Sequence, residues 1–202
     1  STDGINWTQG TLPSSQHETD WYICYGDNKF VAIAGTNTNK FAYSTDGINW
    51  TQGTMPSKTG WKCPCYGNGK FVVTGYFGSN SGVFAYSTDG ITWTQGTMPS
   101  KQTYHEVYYG NGKFVAIAYD PDTFAYSTDG INWTQGNSEK ISGFRSLFIK
   151  NDKIYAIAKI TSKNDTSYSG HALVVFNPTT CDWDYIYDES SLFNVYNSVC
   201  YG

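Results

Sequence analysis

Arginine is almost missing from this sequence. Arg145 is the single one, and only 15% of the 202 residues are charged. The 13 basic and 17 acidic side chains leave a formal charge of −4, with no basic run. Holding a phosphate backbone takes clustered lysine and arginine, so nucleic acid is excluded as a partner. Long apolar runs are missing as well: none approaches the roughly 18 residues of a membrane span, and membrane insertion is excluded on that ground. No signal peptide or initiator methionine precedes Ser1, so the chain reads as a processed or excised piece. Histidine is sparse. His17, His105 and His171 occur singly, without the spacing of a zinc or catalytic-histidine site. No nucleophile motif, glycine-rich phosphate loop or Cys-x-x-Cys pair is present, and no cofactor or metal is expected. Cys24, Cys63, Cys65, Cys181 and Cys200 are odd in number, so at least one thiol stays free or pairs between chains, and the redox compartment stays open.

What is abundant is aromatic. Phenylalanine, tyrosine and tryptophan make up 17% of the chain, which suits many short, half-buried strands better than helices. The string Ser44-Thr45-Asp46-Gly47-Ile48-Asn49-Trp50-Thr51-Gln52-Gly53 recurs almost letter for letter from Ser1, Ser87 and Ser127. A degenerate fifth copy, Phe176 to Trp183, keeps the tryptophan and an acidic turn. Copies that start 43, 43 and 40 residues apart mean propeller blades or solenoid turns.

Residues 21 to 54 give the clearest copy and read as four strands, named A to D outward from an axis. Trp21 to Tyr25 and Phe30 to Ala34 flank a tight turn; Phe41-Ala42-Tyr43 leads through Asp46-Gly47 to a last strand, Ile48 to Thr54. Asn68-Gly69 and Asn111-Gly112 occupy the first turn in the next copies, and Asn-Gly favours the two-residue hairpin with positive φ. Asp27-Asn28 and Asn151-Asp152 tolerate the same conformation. Four antiparallel strands per period make a propeller blade. The expected fold is therefore an all-β propeller, with blades over 21–54, 62–97, 105–137 and 144–188. Residues 1–11 read as a lone D strand and residues 196–202 as a lone A strand, a fifth blade without its middle strands. About 17 further residues would close a five-bladed ring, and a longer parent with more blades fits equally. Such an open blade predicts dimerisation, aggregation or pairing with the rest of a larger polypeptide or another subunit.

Ser-Thr-Asp-Gly-x-x-Trp resembles the Asp-box, or bacterial neuraminidase repeat, of sialidase-type propellers. With the preceding Gly-Asn-Gly-Lys-Phe-Val it is most similar to repeats of bacterial and phage-encoded surface or tail-fibre propellers. In this chain Asp and Gly are adjacent, one residue tighter than the usual box. The resemblance implies a structural turn between strands C and D, and an extracellular or virion-surface location. It also implies what a sialidase would require, an arginine triad, and one arginine excludes that activity. Serine and aspartate can lock the turn, glycine supplies positive φ, and Trp7, Trp50, Trp93, Trp133 and Trp183 can reach a neighbouring blade. Asp3, Asp46, Asp89 and Asp129 are read as turn locks rather than catalysts or calcium ligands. Cys24, Cys65 and Cys200 share one repeat position and are read as small buried apolar residues.

Variation is confined to the B-to-C and D-to-A loops, which leave a propeller on one face. Tyr76 and Phe77 stand on one glycine-flanked B-to-C loop; Asp120 and Asp122, the tight acidic pair, stand on another. The D-to-A loops end in Trp21, Trp61, Tyr104 with His105, and Phe144, either rim packing or ligand contacts. Loops that vary over a rigid support carry recognition. The function expected is non-catalytic binding of a cell-surface glycan or protein receptor through these residues. A structural propeller that bridges subunits is the alternative. A glycoside hydrolase comes third, since it needs two carboxylates facing each other across a cleft.

Overall fold

A computed structural model describes residues 4–13, 20–35, 38–75, 82–118, 123–138, 141–161 and 169–187. Over these residues the chain is all strand and turn, in four antiparallel sheets taken in chain order. The first sheet is β1 (Trp21–Gly26), β2 (Lys29–Ala34), β3 (Thr38–Ser44) and β4 (Thr51–Thr59). The second is β5 (Trp61–Gly67), β6 (Lys70–Gly75), β7 (Val83–Ser87) and β8 (Thr94–Thr97). β9 (Tyr104–Gly110), β10 (Lys113–Ala118), β11 (Thr123–Ser127) and β12 (Thr134–Asn137) make the third. β13 (Ile141–Lys150), β14 (Lys153–Thr161), β15 (Ser169–Asn177) and β16 (Asp182–Tyr187) make the fourth. β5 lies beside β1 and β9, and β9 beside β13, so the first strands of successive sheets gather on one axis. Each sheet is a blade, and its A strand is innermost.

The hairpin between the first two strands of every blade closes with two residues in the left-handed region: Asp27-Asn28, Asn68-Gly69, Asn111-Gly112 and Asn151-Asp152. That conformation matches the right-handed twist of the flanking strands. The box turn closes the other hairpin by an internal lock. Ser44 Oγ donates to Asp46 Oδ1 at 2.9 Å and accepts from the Gly47 N–H at 2.9 Å. Asp46 Oδ1 then accepts from the N–H groups of Ile48 and Asn49 at 2.8 and 2.7 Å. The same bonds recur around Ser87-Asp89 and Ser127-Asp129. Because the carboxylate holds residues 48 and 49 in the turn, the D strand starts at Thr51 rather than at Ile48. In the degenerate copy Asn177 takes over, accepting at Oδ1 from Thr179 N–H at 3.0 Å.

Blades are held together by rings. The box tryptophan of one blade meets the β-strand phenylalanine of the blade before it: Trp93 on Phe41 at 5.8 Å, Trp133 on Phe84 at 5.7 Å and Trp183 on Phe124 at 5.9 Å, all edge-to-face. This geometry favours aromatic pairs. Valine, isoleucine and phenylalanine from the middle strands complete the three buried wedges. Nearer the axis a glycine ends each of the first three A strands, and Tyr66 lies where a Gly26 side chain would be, as Tyr109 does at Gly67.

Two expectations change. Residues 4–13 form no strand; Gly4 keeps the box conformation at φ +72°, but no C strand lies beside the segment among the described residues. Its tryptophan, Trp7, is 78% exposed rather than packed between blades. The lone A strand over 196–202 lies outside the described residues.

Candidate functional site

The A strands all start on one face, where the D-to-A and B-to-C loops also emerge. Of the loop residues read from the sequence, Tyr76, Phe77, Asp120 and Asp122 lie outside the described residues. Trp21 opens β1 and is half-buried. Trp61, Tyr104 and His105 are buried in this structure, which for Trp61 and Tyr104 is the rim packing that the sequence also allowed. Trp61 fills the wedge between the first two blades and donates its indole N–H to Ser57 O at 3.1 Å. Tyr104 fills the next wedge, its hydroxyl 2.8 Å from Ser100 Oγ, and Phe144 fills the third. The rule is positional: the first aromatic residue of each A strand after the first closes the gap to the preceding blade.

The structure gathers other groups at this end of the axis. Lys62 on β5 holds its ammonium 5.8 Å from the Tyr22 ring centre. It is also close enough to His105 to help burial depress that imidazole to about 4. Beside them Glu106 accepts from the Leu147 N–H, and burial pushes its carboxyl up to about 7 despite that bond. Arg145 on β13 is exposed and, after burial, is the main charge lowering the His171 pKa, with Lys159 adding to it. Lys62 and His105, like Glu106 and Leu147, come from different blades, so spacing along the chain gives no sign that they meet. A signal was present all the same: Lys62, Glu106 and Arg145 interrupt the largely aromatic and apolar pattern of the A strands.

The acidic residues of the described boxes are committed to turns. Asp46 is held well below the usual carboxylate range by bonds from Asn49, Ile48 and Ser44. Burial alone would raise Asp89, yet donors from Thr92, Ile91 and Ser87 outweigh it and hold the group at about 2. Asn49 and Asn132, inside glycosylation sequons, spend their amides on Asp46 and Asp129 at 2.7 and 2.8 Å. Among the described residues no group of three or more His, Cys, Asp or Glu side chains is placed to hold a metal ion.

No family model matches the chain, and no curated protein matches it. Solved structures do. Virginiamycin B lyase from Staphylococcus aureus superposes with a TM-score of 0.68 at 13% identity, over 90% of this chain and 60% of the lyase. A catalytically inactive form of that lyase, with quinupristin, gives 0.62 at 10% identity over 86% and 71%. A streptogramin B lyase gives 0.55 at 8% identity over 84% and 69%. The chain folds as a β-propeller. These neighbours are enzymes, and at such identities the likeness concerns the fold alone. The chain also spans less than two thirds of the first lyase's length.

Proposed function

We propose that the chain is a non-catalytic recognition module that binds a carbohydrate or a protein surface through its loop face. The supporting observation is how the polar chemistry is shared out. On the box face, serine and aspartate are consumed by backbone donors. On the loop face, toward the starts of the A strands, Lys62 stands over the Tyr22 ring, Glu106 accepts from the Leu147 N–H and Arg145 is exposed, and the loops that join these strands differ in every blade. Charged and hydrogen-bonding groups on a face whose loops vary suit sugar hydroxyls and polar protein surfaces. Several weak contacts, one per blade, gain strength through multivalency. The resemblance of the repeats to surface and tail-fibre propellers agrees with a receptor-binding role outside a cell or on a virion.

A glycan-array screen of the chain tests this, with Tyr76→Ala/Phe77→Ala and Lys62→Ala/Arg145→Ala variants alongside. Saturable binding that both variants weaken supports the reading. Binding that neither variant changes, or none to any glycan or purified surface protein offered, removes it. One observation favours a second reading, a propeller that assembles with other subunits: Trp7 is exposed, whereas Trp93, Trp133 and Trp183 are covered by a neighbouring blade.

A further inference from the structure

Between β1, β5 and β9 lies a cavity of about 360 Å³, and three thiols, Cys24, Cys63 and Cys65, contribute to its wall. Two phenol rings, Tyr22 and Tyr108, line it as well, and Ile23, 58% exposed, forms its outer side. The cavity depends on a specific distortion. Register between β5 and β6 shifts between Lys62 and Cys65, and Cys63 takes φ +46°, a left-handed conformation uncommon outside glycine. A bulge of this kind re-aims side chains and is found next to functional sites. Here it breaks the alternation of β5, so that Cys63, Pro64 and Cys65 all reach the wall of one cavity.

Among the described residues no charged side chain lines the wall, and the two charges that stand near it, Lys62 and Glu106, are of opposite sign and act on Cys63 in opposite directions. Burial pushes the Cys24 thiol up to about 12, and burial with the nearby Glu106 carboxylate does the same for Cys63. Cys65, enclosed and flanked by the other two thiols, is raised well above its ordinary value. Burial raises the Tyr108 phenol to about 12, with Glu106 adding to the shift. Thiols that stay protonated are poor nucleophiles and poor metal ligands. What they offer is polarisable contact with the edges and faces of flat rings. Ligand cavities of about 300–1,000 Å³ are lined in this way, mostly apolar with a few polar atoms that fix orientation. An apolar cavity of about 150 Å³ already accepts benzene.

We propose that this cavity is a binding site for an uncharged, flat aromatic small molecule of one or two fused rings, separate from the recognition carried out by the loops. Its rings lie against the three thiols and the two tyrosines, and Ile23 covers its outer edge. The test uses thiol protection in the full chain, kept reduced, with indole as the probe. N-ethylmaleimide labelling is followed residue by residue by peptide mass spectrometry at mildly alkaline pH. Cys181, half-buried before β16 and outside the cavity, is the internal control. With indole at about four times its dissociation constant, labelling of Cys24 and Cys63 slows about fivefold while Cys181 is unchanged. The Ile23→Trp variant puts an indole ring at the outer side from the protein itself; labelling is then slow without probe, and free indole adds nothing. Unchanged rates at Cys24 and Cys63, equal slowing at Cys181, or full indole protection persisting in Ile23→Trp each overturns the proposal.

Discussion

At the scale of single residues, Glu106 and His105 are neighbours whose burial acts in opposite directions. The Glu106 carboxyl rises from 4.5 to about 7, so its stabilising contribution is complete below 4.5 and is lost as pH climbs to about 7. The His105 imidazole falls from 6.5 to about 4, so stability is lost as pH drops from 6.5 toward 4. The two slopes offset each other between pH 4.5 and 6.5, and the box aspartates act only below 3.8. Glu106→Gln keeps an acceptor for Leu147 N–H and removes one slope. Its urea midpoint should climb from pH 4.5 to 6.5, by about 1–2 kcal/mol after allowance for solvent at the half-buried site, where the wild type stays nearly flat. Equal slopes in the two proteins would show that Glu106 is solvated. Ser44, Asp46 and Gly47 were legible in the sequence because their chemistry is local: each bond of the lock spans two or three residues. Glu106 and Lys62 were not, since their surroundings are assembled from strands some 40 residues apart. Nor was the bulge at Cys63, because Cys-Pro-Cys reads as ordinary strand alternation.

Elements show the reverse balance. β4 runs to Thr59, five residues past the Thr54 at which the repeat would end its last strand. Periodicity finds an element readily, but it does not say which side chain closes the gap to the next sheet. Trp61, Tyr104 and Phe144 could be assigned to either packing or a ligand until the wedge was visible. Glycine gives the sharpest test of blade spacing. A Cβ on Gly67 would fall inside the Tyr109 ring of the next blade, whereas one on Gly69 would meet nothing within 4 Å and carries only the strain of φ +71°. Gly67→Ala should therefore cost about 3 kcal/mol or more, and Gly69→Ala about 1–2 kcal/mol, read from denaturant midpoints. Similar losses at both positions would mean that the inner strands can slide apart freely.

For the whole molecule, the exposed Trp7 is the feature that bears on assembly. Trp7 is 78% exposed and Ile5 is exposed as well, apolar area that association with another subunit would bury. Sedimentation velocity across a concentration series should show reversible association that Trp7→Ala reduces several-fold without moving the melting temperature. A wild-type protein that stays monomeric throughout would end the assembly reading and leave receptor recognition alone. The edge-to-face contacts between blades reach further than stability. Each unit of about 40 residues carries both members of the pair, a phenylalanine offered to the unit after it and a tryptophan offered to the unit before it. A gene that gains one whole unit by duplication thus gains a matched joint at both ends, with no compensating change elsewhere. Lineages can then alter blade number and loop content independently, so the near-identity of the boxes beside unlike loops is what growth by copying leaves behind.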